Sequence, residues 1–224
     1  SVTLNGSSST SGVQYSWTSS NGGTIQSGDL SPNPVVTSAG TYTLTVTNPA
    51  NGCTASSSVS VSSNTTPPDA NAGSNGTLNC SVSSLTLNGT SSTAGAQYLW
   101  STSDGNIESG DQSLTPVITS AGTYTLTVTN PANGCTATST VSVSSNTTTP
   151  DVNAGPDIAT DCSAPEGTLS GSSTTPNAQF AWTTYGKGFI VSGDNTPSPT
   201  VNTGGNYVLT VTDPANGCTA KDTA

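Results

Sequence analysis

The sequence predicts an all-β chain built from three tandem β-sandwich repeats. Three observations carry this. The nineteen-residue string T-S-A-G-T-Y-T-L-T-V-T-N-P-A-N-G-C-T-A occurs at Thr37–Ala55 and again at Thr119–Ala137, and a diverged copy runs from Asn202 to Ala220. The starts of the copies are 82 and then 83 residues apart, as are the S-G-D triplets ending at Asp29, Asp111 and Asp194, and Trp17, Trp100 and Trp182 recur at 83 and then 82 residues. No segment shows helical periodicity, while short stretches of period two alternate with Gly, Pro and Asn clusters. A solenoid unit is usually about 20–45 residues. A unit of this length can bury a small core of its own. The expected domains are residues 1–65, 66–148 and 149–224, set in a row as a rod, the first lacking its first strand and the third cut within its last.

The second repeat shows each element most completely. Pro67-Pro68 opens it and forbids a helix across the boundary. Ser84–Asn88 alternates, with Leu85 and Leu87 on one face of a short strand. Gln97–Trp100 sets Tyr98 and Trp100 on one face two residues apart. Ser103-Asp104-Gly105-Asn106 has turn chemistry. Val117–Thr119, following Pro116, reads as an edge strand. Thr123–Thr129 is the clearest strand: Tyr124, Leu126 and Val128 face inward and the threonines outward. Asn130–Gly134 is a hairpin turn. Thr136–Val143 returns, with Val141 and Val143 inward.

Two features narrow the sandwich to an immunoglobulin-like one. A Trp falls on the third strand, where that fold places its core indole, and A-G-T-Y-T-L places a Tyr at the start of the penultimate strand, the position of a tyrosine corner. Trp17, Trp100, Trp182, Tyr42, Tyr124 and Tyr207 are therefore expected in the cores. In the third repeat Tyr185 and Phe189 flank the loop after Trp182 and could stack on a sugar.

Composition limits the function. Twelve acidic and two basic residues give a net charge of −10, with no histidine. Nucleic acid and anionic membrane are excluded as partners on this balance, and no apolar run approaches the roughly 20 residues of a membrane span. A chain without His, and with scattered Lys and Asp, builds no nucleophile–base–orienter set, so no catalysis is expected. Ser, Thr, Asn and Gly fill the surface positions that charged residues usually take, which suits an extracellular setting.

The five cysteines fall at two places in the repeat: Cys80 and Cys162 before the Leu-x-Gly strand, and Cys53, Cys135 and Cys218 after Asn-Gly. With no C-x-x-C pair and no His, zinc is disfavoured, which leaves disulfides. Pairing within repeats, Cys80–Cys135 and Cys162–Cys218, is the favoured arrangement. Pairing across the junctions, Cys53–Cys80 and Cys135–Cys162, is the alternative. In the favoured arrangement Cys53 finds its partner outside the chain. No cofactor is expected beyond a structural calcium, for which Asp69, Asn71, Asp151, Asn153 and Asp157 at the repeat boundaries are candidate oxygen ligands. The other reading of these residues is turn chemistry.

P-D-A-N-A-G at Pro68–Gly73 and P-D-V-N-A-G-P-D at Pro150–Asp157 resemble the opening of polycystic-kidney-disease-like (PKD-like) repeats. The Leu-x-Gly, Tyr-x-Trp, G-T-Y-T-L-T-V-T and N-G-C-T-A segments then follow in that family's order. The chain is similar to the PKD-like and immunoglobulin-like arrays of very large secreted surface proteins of Bacteroidota, including gliding-type adhesins. The resemblance implies a stalk, fibre or adhesin segment. Its partners would be neighbouring repeats, copies of the same chain or surface glycans. A filament subunit that exchanges strands with its neighbours is a further possibility. Glycosylation is conceivable at the sequon residues Asn64 and Asn146, at the linker threonines Thr65, Thr66, Thr147 and Thr148, and at Thr223, where Asp-Thr-Ala resembles a short O-glycosylation motif of those bacteria.

Overall fold

The computed structural model describes all residues, Ser1–Ala224, and contains strands and no helix. By its contacts the chain divides into two units, Ser1–Thr66 and Pro67–Ala224. The first unit is one repeat. Its strands are β1 (Val2–Thr3), β2 (Gln14–Ser20), β3 (Ile25–Ser27), β4 (Val35–Val36), β5 (Gly40–Thr47) and β6 (Thr54–Val61), in two sheets of order β1-β4-β3 and β2-β5-β6.

The second unit contains two repeats. The earlier has β7 (Gly76–Asn79), β8 (Leu85–Thr86), β9 (Gln97–Thr102), β10 (Ile107–Ser109), β11 (Val117–Ile118), β12 (Gly122–Thr129) and β13 (Thr136–Asn146). The later has β14 (Gly167–Thr168), β15 (Gln179–Tyr185), β16 (Ile190–Ser192), β17 (Thr200–Val201), β18 (Asn206–Thr212) and β19 (Thr219–Thr223). The sheet orders are β10-β11-β8 with β7-β13-β12-β9, and β14-β17-β16 with β15-β18-β19. Val117–Ile118 is thus a central strand, not an edge: it pairs with β8 on one side and β10 on the other. Pro116, which lacks an amide hydrogen, lies just before this strand, and its carbonyl still accepts from Leu87 N at 3.0 Å.

The alternation read from the sequence sets the core. Tyr124, Leu126 and Val128 of β12 are buried and pack with Trp100, Ile118, Val141 and Val143. The threonines between them face the other way, where β-branched side chains suit a strand. All six expected core aromatics are buried. Each tyrosine closes a corner: the hydroxyl of Tyr42 donates to Ser38 O at 2.6 Å, that of Tyr124 to Ser120 O at 2.6 Å, and that of Tyr207 to Thr203 O at 2.5 Å. Each indole N–H donates to a backbone carbonyl, Trp100 to Ser113 O at 2.9 Å, so no polar atom of these rings is buried unpaired. The S-G-D turns serve the same strand. The amides of Trp17, Trp100 and Trp182 donate to the carbonyls of Asp29, Asp111 and Asp194, each at 2.7 Å. Gly89 of the Leu-Asn-Gly segment is small for a packing reason, because a Cβ there would lie 2.9 Å from the Trp100 ring and 3.0 Å from Leu126.

The first strand of the second repeat crosses between sheets. Asn71 bridges Thr90 near one sheet. The chain then runs as β7 parallel to the end of β13, with Asn79 opposite Asn146. This parallel pairing decides the cysteine chemistry below.

Candidate functional site

The place where the chain does something beyond packing each core is the joint between its second and third repeats. Cys80 follows β7 and Cys218 follows the Asn-Gly turn of the third repeat, and the two form a disulfide with their Cα atoms 4.9 Å apart. This corrects the favoured pairing within repeats: Cys53, Cys135 and Cys162 are free thiols in this chain. The reason is topological. Cys135 precedes β13, while Cys80 lies beside its far end because β7 runs parallel to it. An eleven-residue strand spans roughly 35 Å at about 3.3 Å per residue, and disulfide Cα atoms stand no more than about 7 Å apart. Cys80 is carried instead to the pole from which the chain leaves for the third repeat. The cross-junction alternative is also not the bond that forms, since both of its pairings assign Cys80 or its equivalent to the preceding turn.

The joint has a polar core that the sequence did not announce. Asn216 is 2% exposed, and its whole amide is engaged. Nδ2 donates to Asn146 Oδ1 at 3.1 Å and to Thr148 O at 2.9 Å, and Oδ1 accepts from Cys218 N at 2.9 Å. Asn146 and Thr148, read as modification sites, here tie the linker to the next repeat. Gly217 has φ of +71°, and a Cβ on it would collide with Ser81 Oγ. Only glycine meets both demands. The signal in the sequence was the Asn-Gly-Cys triplet, which looked like turn chemistry alone.

The boundary carboxylates are occupied by local donors. Asp69 accepts from the amide of Ser92 at 3.0 and 2.9 Å and from the hydroxyls of Ser91, Ser92 and Thr93 at 3.0–3.2 Å. The Ser92 amide above all, with the hydroxyls, holds the Asp69 carboxyl at about 2, below the usual 3.8. Asp151 repeats this with Ser173, Thr174 and Thr175, the Thr174 amide leading, and is likewise held at about 2. Asn71 and Asn153 turn their Oδ1 atoms to the amides of Gly73 and Gly155, at 2.9 and 2.8 Å. Asp157 is exposed. Asp69 and Asp151 each pin a Ser/Thr loop 22–24 residues later, Asn71 and Asn153 each close a short turn, and no three Asp, Glu or Cys side chains gather in one place. Tyr185 and Phe189 are 76% and 57% exposed. No helix is long and apolar enough to cross a membrane.

No protein-family model matches the chain, and no curated protein matches it. Among solved structures it is similar to Drosophila OTK extracellular domains 3–5, at 12% identity over 94% of this chain and 83% of that one, with a TM-score of 0.34. It is similar to titin domains I67–I69 at 14% identity over 96% and 87%, with a TM-score of 0.34. A third similarity is to the N-terminal eight Ig domains of Down Syndrome Cell Adhesion Molecule, at 12% identity over 94% of this chain and 36% of that one, TM-score 0.38. By its own sheets, core indoles and tyrosine corners, the chain is an array of three immunoglobulin-like sandwiches.

Proposed function

We propose that the chain is a structural segment of an extracellular fibre, stalk or adhesin on a bacterial surface, with its work done by geometry rather than catalysis. The observation that supports it is the joint: a disulfide and a fully bonded buried Asn fix one repeat to the next. A disulfide persists in oxidising compartments, which fits a secreted chain with a neutral, hydroxyl-rich surface. The bacterial setting rests on the PKD-like resemblance. Immunogold labelling of intact cells with antibody to the chain tests the reading. Surface label on projections, together with a native polypeptide far heavier than 22 kDa, is the expected result. Label confined to the cytoplasm overturns it.

A second reading has its own observation. Tyr185 and Phe189 project into solvent only in the third repeat, where the equivalent residues of the second are Ser103 and Asn106. Aromatic faces of this kind stack on sugars, so this repeat could bind surface glycans. A glycan array decides it: saturable binding lost in Tyr185→Ala supports the reading, and no binding removes it. A third possibility, assembly of short chains by strand exchange, is separated from the first by native mass, since it requires subunits near 22 kDa.

A further inference from the structure

The register of the one bonded pair extends to the three free cysteines. Cys218, Cys135 and Cys53 hold the same local place. In each, the cysteine amide donates to Oδ1 of the Asn two residues earlier, Asn216, Asn133 or Asn51, at 2.9–3.0 Å. In each, the cysteine carbonyl accepts at 2.9 Å from the residue that opens the turn, Asp213, Asn130 or Asn48. Cys80 and Cys162 share the other place. Asn79 Oδ1 accepts from the amides of Ser81 and Val82 at 2.9 and 2.8 Å, and Asp161 Oδ1 accepts from Ser163 and Ala164 at 2.7 and 2.9 Å. The backbone closes the same turn, Asn79 N to Val82 O at 2.9 Å and Asp161 N to Ala164 O at 3.2 Å. The third repeat thus presents Cys162, exposed, in the local conformation from which Cys80 reaches the repeat that follows it.

We propose that Cys162 and Cys53 are open halves of the same inter-repeat bond: Cys162 pairs with a cysteine on an Asn-Gly-Cys turn of a following equivalent repeat, and Cys53 with a strand-end cysteine of a preceding one. The inference rests on the array reading and adds its connectivity. Each bond joins a repeat to its successor, never to itself, so the array is stapled in one direction. Two thiols each give up a proton and together two electrons, and a low-molecular-weight disulfide such as oxidised glutathione accepts them and leaves as two thiols. The partner cysteine can belong to another repeat of the same polypeptide or to the first repeat of a second copy of this chain, whose free turn cysteine is Cys53.

Non-reducing peptide mapping of the native material by mass spectrometry tests this. The chain contains only two Lys or Arg, so cleavage at Asp replaces trypsin. The Cys162 peptide is expected in a bond to a peptide reading Asn-Gly-Cys, alongside the Cys80–Cys218 bond. If that peptide carries the sequence around Cys53, the partner is a second copy; if it carries a sequence not found in these 224 residues, the partner is a further repeat of the polypeptide; a bond to the peptide around Cys135 joins a turn to the strand end of the next repeat and overturns the proposal. Recovery of Cys162 as a free thiol while Cys80–Cys218 is oxidised overturns the proposal, and so does a bond between two strand-end cysteines. The intact mass of the undigested material is measured alongside, so failure of the bond pattern in a polypeptide far above 22 kDa leaves the array reading standing.

Discussion

The last strands of the first and second repeats have nearly the same sequence and different fates. Thr54–Val61 reads T-A-S-S-S-V-S-V and Thr136–Val143 reads T-A-T-S-T-V-S-V. Val59 is 43% exposed, and its counterpart Val141 is 2% exposed. What differs is a segment about 65 residues earlier. In the second repeat Ala72 is buried against the sheet and its amide donates to Ser139 Oγ at 3.0 Å, while β7 pairs with the end of β13. Residues 1–66 contain no counterpart of that segment. A shared string therefore specifies strand and turn, and burial of its apolar face is conferred from elsewhere in the chain.

The contrast can be broken most strongly at the disulfide. Closing a loop of 138 residues is worth about 5 kcal/mol in the chain-entropy model. Cys218→Ser is expected to raise hydrogen exchange across β12 and β18 while leaving β5 unchanged. Equal loss of protection in β5 would count against the division. Next in size, Val141→Ala is expected to cost about 2 kcal/mol and Val59→Ala less than about 0.5, since only the first empties a closed core. Denaturant midpoints read by exchange in each repeat check this, and equal costs would remove the contrast.

A smaller effect should be common to both regions. Tyr42→Phe and Tyr124→Phe each remove a hydroxyl that donates at 2.6 Å and also accepts a backbone amide, at 2.9 Å from Thr24 and 3.1 Å from Asn106. Each loss is expected to cost about 1–1.5 kcal/mol. A marked difference between them would show that the Ala72–Asn79 segment packed on the second repeat also tightens its corner. The smallest effect is on pH. Asp69 and Asp151 titrate at about 2 in the folded chain, below their usual 3.8. Their contribution is present above about pH 4 and fades as pH falls toward 2. The first repeat has no such carboxylate, so acid should relax the second and third repeats selectively, as read by exchange in Ser91–Thr93 and Ser173–Thr175. Asp69→Asn should flatten the response in the second repeat alone.

The fold was largely legible because its signals are local and repeated. Alternation gave the inward face of β12, A-G-T-Y gave the corner, and Asn-Gly gave the turn before each cysteine. The errors share a cause. Val117–Ile118 looked like an edge because Pro116 precedes it, yet strand order depends on which strands flank it, and that is not written locally. The disulfide depended on β7 running parallel to β13, a pairing across 67 residues that sends Cys80 to the opposite pole from Cys135. The anchoring of Asp69 and Asp151 was not legible either, because their partners, a serine and threonine run 22–24 residues later, carry no distinctive pattern in a chain rich in both.

Under tension the bond between Cys80 and Cys218 becomes a covalent shunt. A pull applied at the ends of the second unit passes through the two sulfurs and bypasses the residues between them. At about 3.5 Å per extended residue, the 138-residue separation conceals contour length on the order of 480 Å. While the bond is intact, residues 81–217 carry no tension and cannot be drawn out, however weak the cores they form. Reduction releases that length, so the redox state of one cysteine pair sets how far this stretch of chain can extend.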